Sequence, residues 1–351
     1  MASALSLECR SVDCLHDRLE VPSAKHSANL GYPTSRVAAA ALSERAGRSP
    51  PPDPHVVVVV LAHNGLDDTL GCLASLALTR WDALTIILVD NGSRDRTAEV
   101  VRTCYPTVSL IQQEKNVGFA EGNNIGIRRA LDLGADYVFL LNNDTTIAAD
   151  AIARCIEVAQ LHPDTGAVCP LIYFAEPPNL IWYAGATFDP HRAHSGRMLG
   201  YREVDSGQFA SARETAWATG AAILVPRPVL EQVGLLDAEL FFLYEDVDWS
   251  LRARHAGYRI YVVPQAKVWH RVSASAGGEH SSKIAYYDTR NHTVICKRHA
   301  PLSGLKALRR AAGILAVHLA GARRATRPLP YLRAVLEGWS DGLRGRMGPQ
   351  Q

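Results

Sequence analysis

The sequence predicts an α/β fold, a central and mostly parallel sheet flanked by helices. Three observations lead there. Continuous β-branched apolar runs, of which His55–Leu61 (HVVVVVL) is the clearest, mark strands covered on both faces. Between the runs lie segments with apolar residues three and four apart, as amphipathic helices require. Polar clusters follow three of the runs directly: His63-Asn64, Asp90-Asn91 and Asn142-Asn143-Asp144. In sheets of this kind ligands bind beyond the carboxyl ends of the strands.

The elements follow in order. After the first run, Leu66–Thr79 places Leu66, Leu70, Leu73 and Leu76 on one face and Asp67 and Asp68 in its first turn, where acids favour a helix start. Leu84–Val89 reads as a second strand, residues 96–104 as a helix, 108–111 as a short strand, Asn123–Leu133 as a helix and Tyr137–Leu141 as a strand. Farther on, 182–185, 217–225, 259–263 and 266–270 read as short strands. Pro226-Arg227-Pro228 opens a helix and Asp246–His255 forms another.

Residues 1–54 lack steady periodicity and end in Ser49-Pro50-Pro51-Pro52-Asp53-Pro54, a linker composition. They read as an extension without regular structure, followed by a catalytic domain over 55–298 and a basic helical tail over 299–351. Formal net charge is only +2, which points to no particular partner. Its distribution says more. Thr289–Leu336 holds no acid against ten Lys or Arg, Arg290, Lys297, Arg298 and Arg310 among them, so the tail suits an anionic lipid surface. Within it the twelve apolar residues Ala311–Ala322, flanked by Arg pairs, are compatible with an interfacial helix or with a helix packed on the domain. The tail has few aromatics for base stacking, so nucleic acid is not an expected partner. Seven irregularly spaced cysteines, with no Cys-x-x-Cys pair, argue against a zinc ribbon or a disulfide framework and fit a reducing cytoplasm. No apolar run reaches the ~18 residues that would span a bilayer.

Chemistry concentrates in five places. Phe241-Phe242-Leu243-Tyr244 runs straight into Glu245-Asp246-Val247-Asp248, setting carboxylates beside apolar surface, which is costly unless they are paired or used. Asp246 or Glu245 is placed to take a proton from a hydroxyl. Asp144, at a strand end, can hold one site on a hard cation; the ordinary reading is a turn residue. His270 ends another strand; a lone histidine is usually structural, unless it faces Asp144. The glycine-rich run Lys115–Gly126 fits neither dinucleotide nor P-loop spacing, yet would let backbone approach a diphosphate. Trp217-Ala218-Thr219-Gly220 offers an aromatic wall and small residues to a sugar ring, or simply a tight strand.

Taken together, Val57–Gly65, Ile87–Ser93, Asn116–Gly126, Leu140–Thr145, Ala218–Ala222, Phe242–Arg254 and Val268–Ser273 resemble glycosyltransferase family 2, within it the bacterial rhamnosyltransferase-like branch. The resemblance runs from about Val56 to Arg298. It implies a GT-A-type nucleotide-diphospho-sugar transferase fold and inverting transfer from a nucleotide-sugar donor to a glycan or lipid-linked acceptor. Asp246 would be the catalytic base, with Glu245 beside it at the acceptor hydroxyl. Donor contacts would come from Asn64, Asp90 (the base), Asn91, Gly122, Asn123, Asn142 and Asn143, and acceptor contacts from Trp217, Thr219 and Gly220. Asp144, the acid of the family's Asp-x-Asp signature, and His270 would hold Mg²⁺ or Mn²⁺. Two departures stand out: the signature's first acid is Asn142, and His63 precedes Asn64 where relatives carry an aromatic residue. dTDP-rhamnose is the first donor by resemblance, ahead of UDP- or GDP-hexoses. The competing classes are a non-catalytic nucleotide-sugar scaffold, which the acids and His270 disfavour, and a nucleotidylyltransferase, for which Leu61–Asp68 lacks a basic glycine-rich loop.

Overall fold

A computed structural model of the chain describes residues 53–272 and 280–350. The expectation for 1–54 falls, but for its last two residues, outside the described residues, as does Ser273. Pro54–Gln351 forms one compact unit. In chain order its strands are β1 (Val56–Ala62), β2 (Leu84–Asp90), β3 (Ser109–Gln112), β4 (Tyr137–Asn142), β5 (Thr145–Ile147), β6 (Thr165–Phe174), β7 (Ile181–Tyr183), β8 (Ala186–Phe188), β9 (Gly196–Met198), β10 (Arg213–Glu214), β11 (Ala222–Pro226) and β12 (Arg259–His270). The helices are α1 (Leu66–Ala77), α2 (Thr97–Cys104), α3 (Phe119–Asp132), α4 (Ala151–Leu161), α5 (Arg227–Val233), α6 (Glu245–His255), α7 (Ser282–His299), α8 (Gly304–Ala320) and α9 (Pro328–Arg344).

One sheet runs β10-β12-β6-β11-β4-β1-β2-β3, with β5 on β12 and β7 on β6. The β3-β2-β1-β4 half is parallel, as expected. The whole is mixed rather than mostly parallel, because β11 runs antiparallel to both β4 and β6. Every residue of β1 is buried, which accounts for its unbroken apolar run. The two short strands expected over 259–270 are one strand, β12, whose register shifts between Val263 and Lys267. The shift falls opposite Pro170 of β6, which has no N–H to give the ladder. The strand expected over 217–225 is shorter: only Ala222–Pro226 pairs, and 217–221 approaches it as a loop.

The C-terminal region packs on the domain. Gly338 and Gly342 of α9 lie so close to α7 that a Cβ on either would meet backbone oxygen, of Tyr286 at 2.3 Å or of Arg290 at 2.7 Å. Trp339 Nε1 donates to Ala311 O at 2.9 Å, tying α9 to α8. Part of the basic stretch is therefore internal. Arg290 and Arg310 are buried, Arg298 pairs with Asp237 and Asp248, and Lys297 Nζ donates to Leu343 O near the end of α9. What faces outward is unusual: Leu305, Leu308, Leu329 and Leu336 are exposed by 59%, 64%, 79% and 51%. Lys306, Arg309, Arg323, Arg324, Arg327 and Arg333 are exposed around them. No helix among the described residues is long and apolar enough to cross a membrane.

Candidate active site

The sheet register assembles the site. β1 lies between β4 and β2 with Leu61 opposite Asn142 and Ala62 opposite Asp90, so the three polar clusters end at one level. The chain steps outward from β1 to β3 and returns on the other side as β4, a topological switch point, where ligand crevices form. A cleft of about 140 Å³ opens there. His63, Asn91, Asn116 and Asn142–Asp144 line it, as do Gly118, Phe119, Phe241, Phe242 and Lys283.

The strand-end residues divide by what their side chains already bond. Asn91 is consumed: its Nδ2 donates to Gly118 O (3.0 Å) and Asn116 Oδ1 (3.2 Å), and its Oδ1 accepts from Val117 N–H (2.9 Å). It shapes the 116–118 loop as well as lining the cleft. Asn64, at φ 61°, accepts from Arg94 N–H with Oδ1 at 2.8 Å. Asn143 Nδ2 donates to Thr69 Oγ1 (2.9 Å) and Asn64 O (3.2 Å). Asp90, buried, accepts from Ser93 N–H at 3.0 Å, the turn role that its Asn-Gly-Ser context also suggests, and it does not line the cleft. Among the described residues the Asn142 side-chain amide has no protein partner, so it can serve a ligand.

Gly122 and Asn123 lie elsewhere than expected. α3 begins at Phe119, four residues early, which puts both inside the helix and off the cleft lining. Gly122 is small because a Cβ would stand 2.6 Å from Leu61 Cδ1; Asn123 Nδ2 bonds back to Phe119 O at 3.0 Å. Gly122 thus lets α3 pack on β1, and Asn123 bonds within α3.

Asp144 and His270 do meet. Thr145, next to Asp144, is the cross-strand partner of His270, and Arg271 N–H donates to Asp144 O at 2.9 Å. His270 Nε2 stands 3.0 Å from Asp144 Oδ1, yet the contact lacks hydrogen-bond geometry, and Asp144 Oδ1 and His270 Nδ1 are buried without hydrogen-bond partners. Asp144 Oδ1, a buried oxygen left unbonded beside His270 Nε2, is the atom that calls for an occupant between the two side chains. The donor set fits a hard-to-borderline divalent cation, and neighbouring ligands about 2.1 Å from an octahedral ion stand about 3 Å apart. No group of three or more His, Cys, Asp or Glu among the described residues could hold a metal alone, so substrate oxygens and water would complete any coordination.

α6 carries the other half of the site. Asp246, half-buried, accepts from Gly220 N–H (2.9 Å, Oδ2) and Val247 N–H (2.7 Å, Oδ1). Burial raises its pKa to about 6 against those two bonds. Glu245 goes further: burial, then the Asp246 charge beside it, pushes its carboxyl well above the usual range, and its Oε2 is buried without a partner. Of the two, Glu245 therefore holds its proton the more tightly. Around Asp246 stand Cys169, Tyr183 and Tyr244, all raised mainly by burial and so uncharged. Asp248 is different. Burial alone would raise it, but His299, Arg252 and Arg298 bond it at 2.8–2.9 Å and hold it well below the carboxylate range, a structural ion cluster.

The halves are neighbours. Asn142 N–H donates to Ala221 O at 3.0 Å, one residue from the Gly220 that holds Asp246. Trp182 meets His270 edge-on at 4.7 Å, Tyr183 bonds Trp217 O, and the buried Thr219 precedes Gly220. Trp217 Nε1 is buried without a hydrogen-bond partner. Phe119, Phe241, Phe242 and Lys283 line the cleft without having been singled out as site residues, and so does His63, which the sequence marked only as a member of a polar cluster and a departure from the family pattern. Lys283 had the weakest signal, a lone cation one residue after a helix start. Among the described residues it has no carboxylate partner, and its Nζ lies 5.3 Å over the Phe242 ring.

Residues 57–219 match the family model described as Glycosyl transferase family 2. Over that stretch, just under half of the chain, the protein is similar to that family. Over 249 residues the chain is 28% identical to the N-acetylglucosaminyl-diphospho-decaprenol L-rhamnosyltransferase of Mycobacterium tuberculosis, covering 65% of this chain and 80% of that one. It is 25% identical to the dTDP-rhamnosyl transferase RfbF of Shigella flexneri, covering 75% and 87%. Its fold is GT-A. It is similar to the mannosyltransferase PcManGT from Pyrobaculum calidifontis in complex with GDP-Man and Mn²⁺ (TM-score 0.53, 16% identity, 98% of both chains). S. aureus TarS 1-349 in complex with UDP-GlcNAc is also similar (TM-score 0.53, 15% identity, 83% and 81%).

Proposed function

We propose that this glycosyltransferase moves a sugar, L-rhamnose from dTDP-rhamnose first, from its nucleoside diphosphate to an acceptor hydroxyl with inversion, using Mg²⁺ or Mn²⁺. One observation carries the reading: an Asp144–His270 pair with unbonded buried atoms lies a short backbone step, Asn142–Ala221–Gly220, from an ionisable Asp246. A bound divalent cation would offset charge on the diphosphate. Asp144 and His270 would hold it, and Asn142 and Lys283 offer a neutral and a cationic donor to the same substrate. Asp246 removes the acceptor proton as the oxygen attacks the anomeric carbon, a contribution of ~10²–10⁴-fold. The neutral Glu245 can donate to the acceptor or bond it in place. Trp217, Thr219 and Gly220 shape the acceptor side, and Phe119, Phe241 and Phe242 keep water from the cleft.

The rhamnosyltransferase names of two relatives support that donor, and the diphospho-decaprenol acceptor of one supports a lipid-linked glycan. The exposed leucines of α8 and α9 among arginines support peripheral contact with an anionic membrane, at its cytoplasmic face. The test is thermal stabilisation of the wild type and Asp144→Ala by dTDP-rhamnose, UDP-GlcNAc and GDP-mannose with and without Mn²⁺. We expect dTDP-rhamnose to stabilise the wild type most, only with Mn²⁺, and Asp144→Ala to lose the effect. Equal stabilisation of both proteins would sink the metal assignment, and a preference for UDP-GlcNAc or GDP-mannose would replace the donor. Binding with no transfer to any lipid-linked acceptor would favour the scaffold.

A further inference from the structure

The segment feeding α6 follows a path that ordinary side chains resist. Phe241 (φ 63°, ψ −52°) is the centre of a γ-turn closed by Phe242 N–H on Leu240 O at 2.7 Å, a form that is rare and strained. Leu243 and Tyr244 also have positive φ, 68° and 70°. Such a path persists only where surrounding structure imposes it.

α7 imposes it. Asn291 Nδ2 lies 3.0, 2.9 and 2.7 Å from the carbonyl oxygens of Leu240, Phe242 and Leu243. Arg290 Nε donates to Asn291 Oδ1 at 2.8 Å, which fixes the amide's orientation, and Arg290 Nη2 donates to Leu240 O at 2.8 Å. Both side chains are fully buried. The guanidinium has carbonyl partners, Leu240 and Gly348, and the faces of Tyr286 and Tyr287, but no carboxylate among these contacts. Burying a cation this way is costly. The arrangement directs hydrogen-bond donors from two adjacent residues at one five-residue segment.

We propose that Arg290 and Asn291 are positioning residues that hold Leu240–Tyr244 in its strained path, so that Phe241 and Phe242 wall the donor cleft and Asp246 stays against Gly220. Neither residue lines the cleft, so both act through the segment they grip. The claim rests on the transfer reading for its kinetic consequence but not for its structural one.

The test uses Asn291→Asp in the full chain. Its size is that of Asn, and it keeps an oxygen for Arg290 Nε, but it turns a carboxylate toward three carbonyls. Transfer kcat should fall on the order of 10²-fold, as for small misplacements of catalytic groups, by more than the change in nucleoside diphosphate affinity. The acid limb of the pH–kcat profile should move to lower pH as Asp246 gains water, which a loss of folded protein alone does not cause. Hydrogen exchange at the amides of 242–246 should quicken. Leu243→Gly, which relieves a positive φ, should restore part of the lost kcat and protection when added to Asn291→Ala. Unchanged kcat and exchange in Asn291→Asp overturns the proposal. If that variant does not fold, absence of any gain from glycine in the Asn291→Ala background overturns it. If the wild type transfers no sugar, the transfer reading fails and exchange alone decides the grip on the segment.

Discussion

At the residue scale the active site separates two adjacent carboxyls by environment. Glu245 is buried beside an ionised neighbour and retains its proton, whereas Asp246 has two backbone N–H donors and gives its proton up. Asp246→Asn should therefore abolish transfer while nucleotide binding survives, and Glu245→Gln, which mimics a neutral acid, should keep turnover within about tenfold of wild type. Radiolabelled sugar transfer measures both, and similar losses in the two variants would refute the division. As the proposed base, Asp246 must be ionised, and its raised pKa means it protonates early as pH falls. Transfer should accordingly rise with pH through an apparent value of about 6 and level off above it. Asp144, His270 and Asp246 were legible in the sequence as candidates because each sits where an apolar run meets polar chemistry. Gly122 and Asn123 misled because a glycine that admits a phosphate and a glycine that admits a neighbouring strand look alike until α3 is in place.

At the level of elements, α3 and β1 set the floor of the cleft, and their spacing is fixed by glycine. A Cβ on Gly126 would stand 2.2 Å from Val59 Cγ1, the branched side chain of a fully buried strand that cannot swing aside. Gly126→Ala should cost about 1–3 kcal/mol in urea unfolding, as overpacked cores do, whereas Gly134→Ala, with open space around its Cβ, should act only through its φ of 76°. The parallel half of the sheet was readable because β1, β2 and β4 are largely apolar up to the polar residues at or just past their C-terminal ends and helices lie between them. α4 and β6 were not picked out, although Ile152, Cys155, Ile156 and Ala159 give α4 a buried face. In β6, Pro170 breaks the pattern of a central strand, and only the bulge of β12 opposite shows how the sheet accommodates it. The γ-turn before α6 leaves no trace in composition, since Phe241, Leu243 and Tyr244 are residues that seldom take positive φ.

For the whole molecule, the C-terminal helices present two surfaces with different uses. Inward, α9 is pressed on α7, the helix that carries Arg290 and Asn291. Outward, Leu305, Leu308, Leu329 and Leu336 stand among arginines. The uniform basic stretch seen in the sequence concealed that split, because burial of Arg290 and Arg310 depends on carbonyls contributed from distant segments. If the outer surface meets a membrane, Leu329→Asp with Leu336→Asp should weaken co-flotation with anionic vesicles at least tenfold, since each buried leucine is worth about 1.5–3 kcal/mol. Added salt should weaken it further. Flotation unaffected by the pair would remove α9 from that role.

The pairing of Thr145 with His270 has a consequence for biogenesis. Asp144 emerges from the ribosome with the first half of the domain, whereas His270 arrives with β12, after every other strand of the sheet. Until β12 docks, a nascent chain has only one of the two groups, so a divalent cation held by the proposed pair would reward the finished fold but could not guide its early steps.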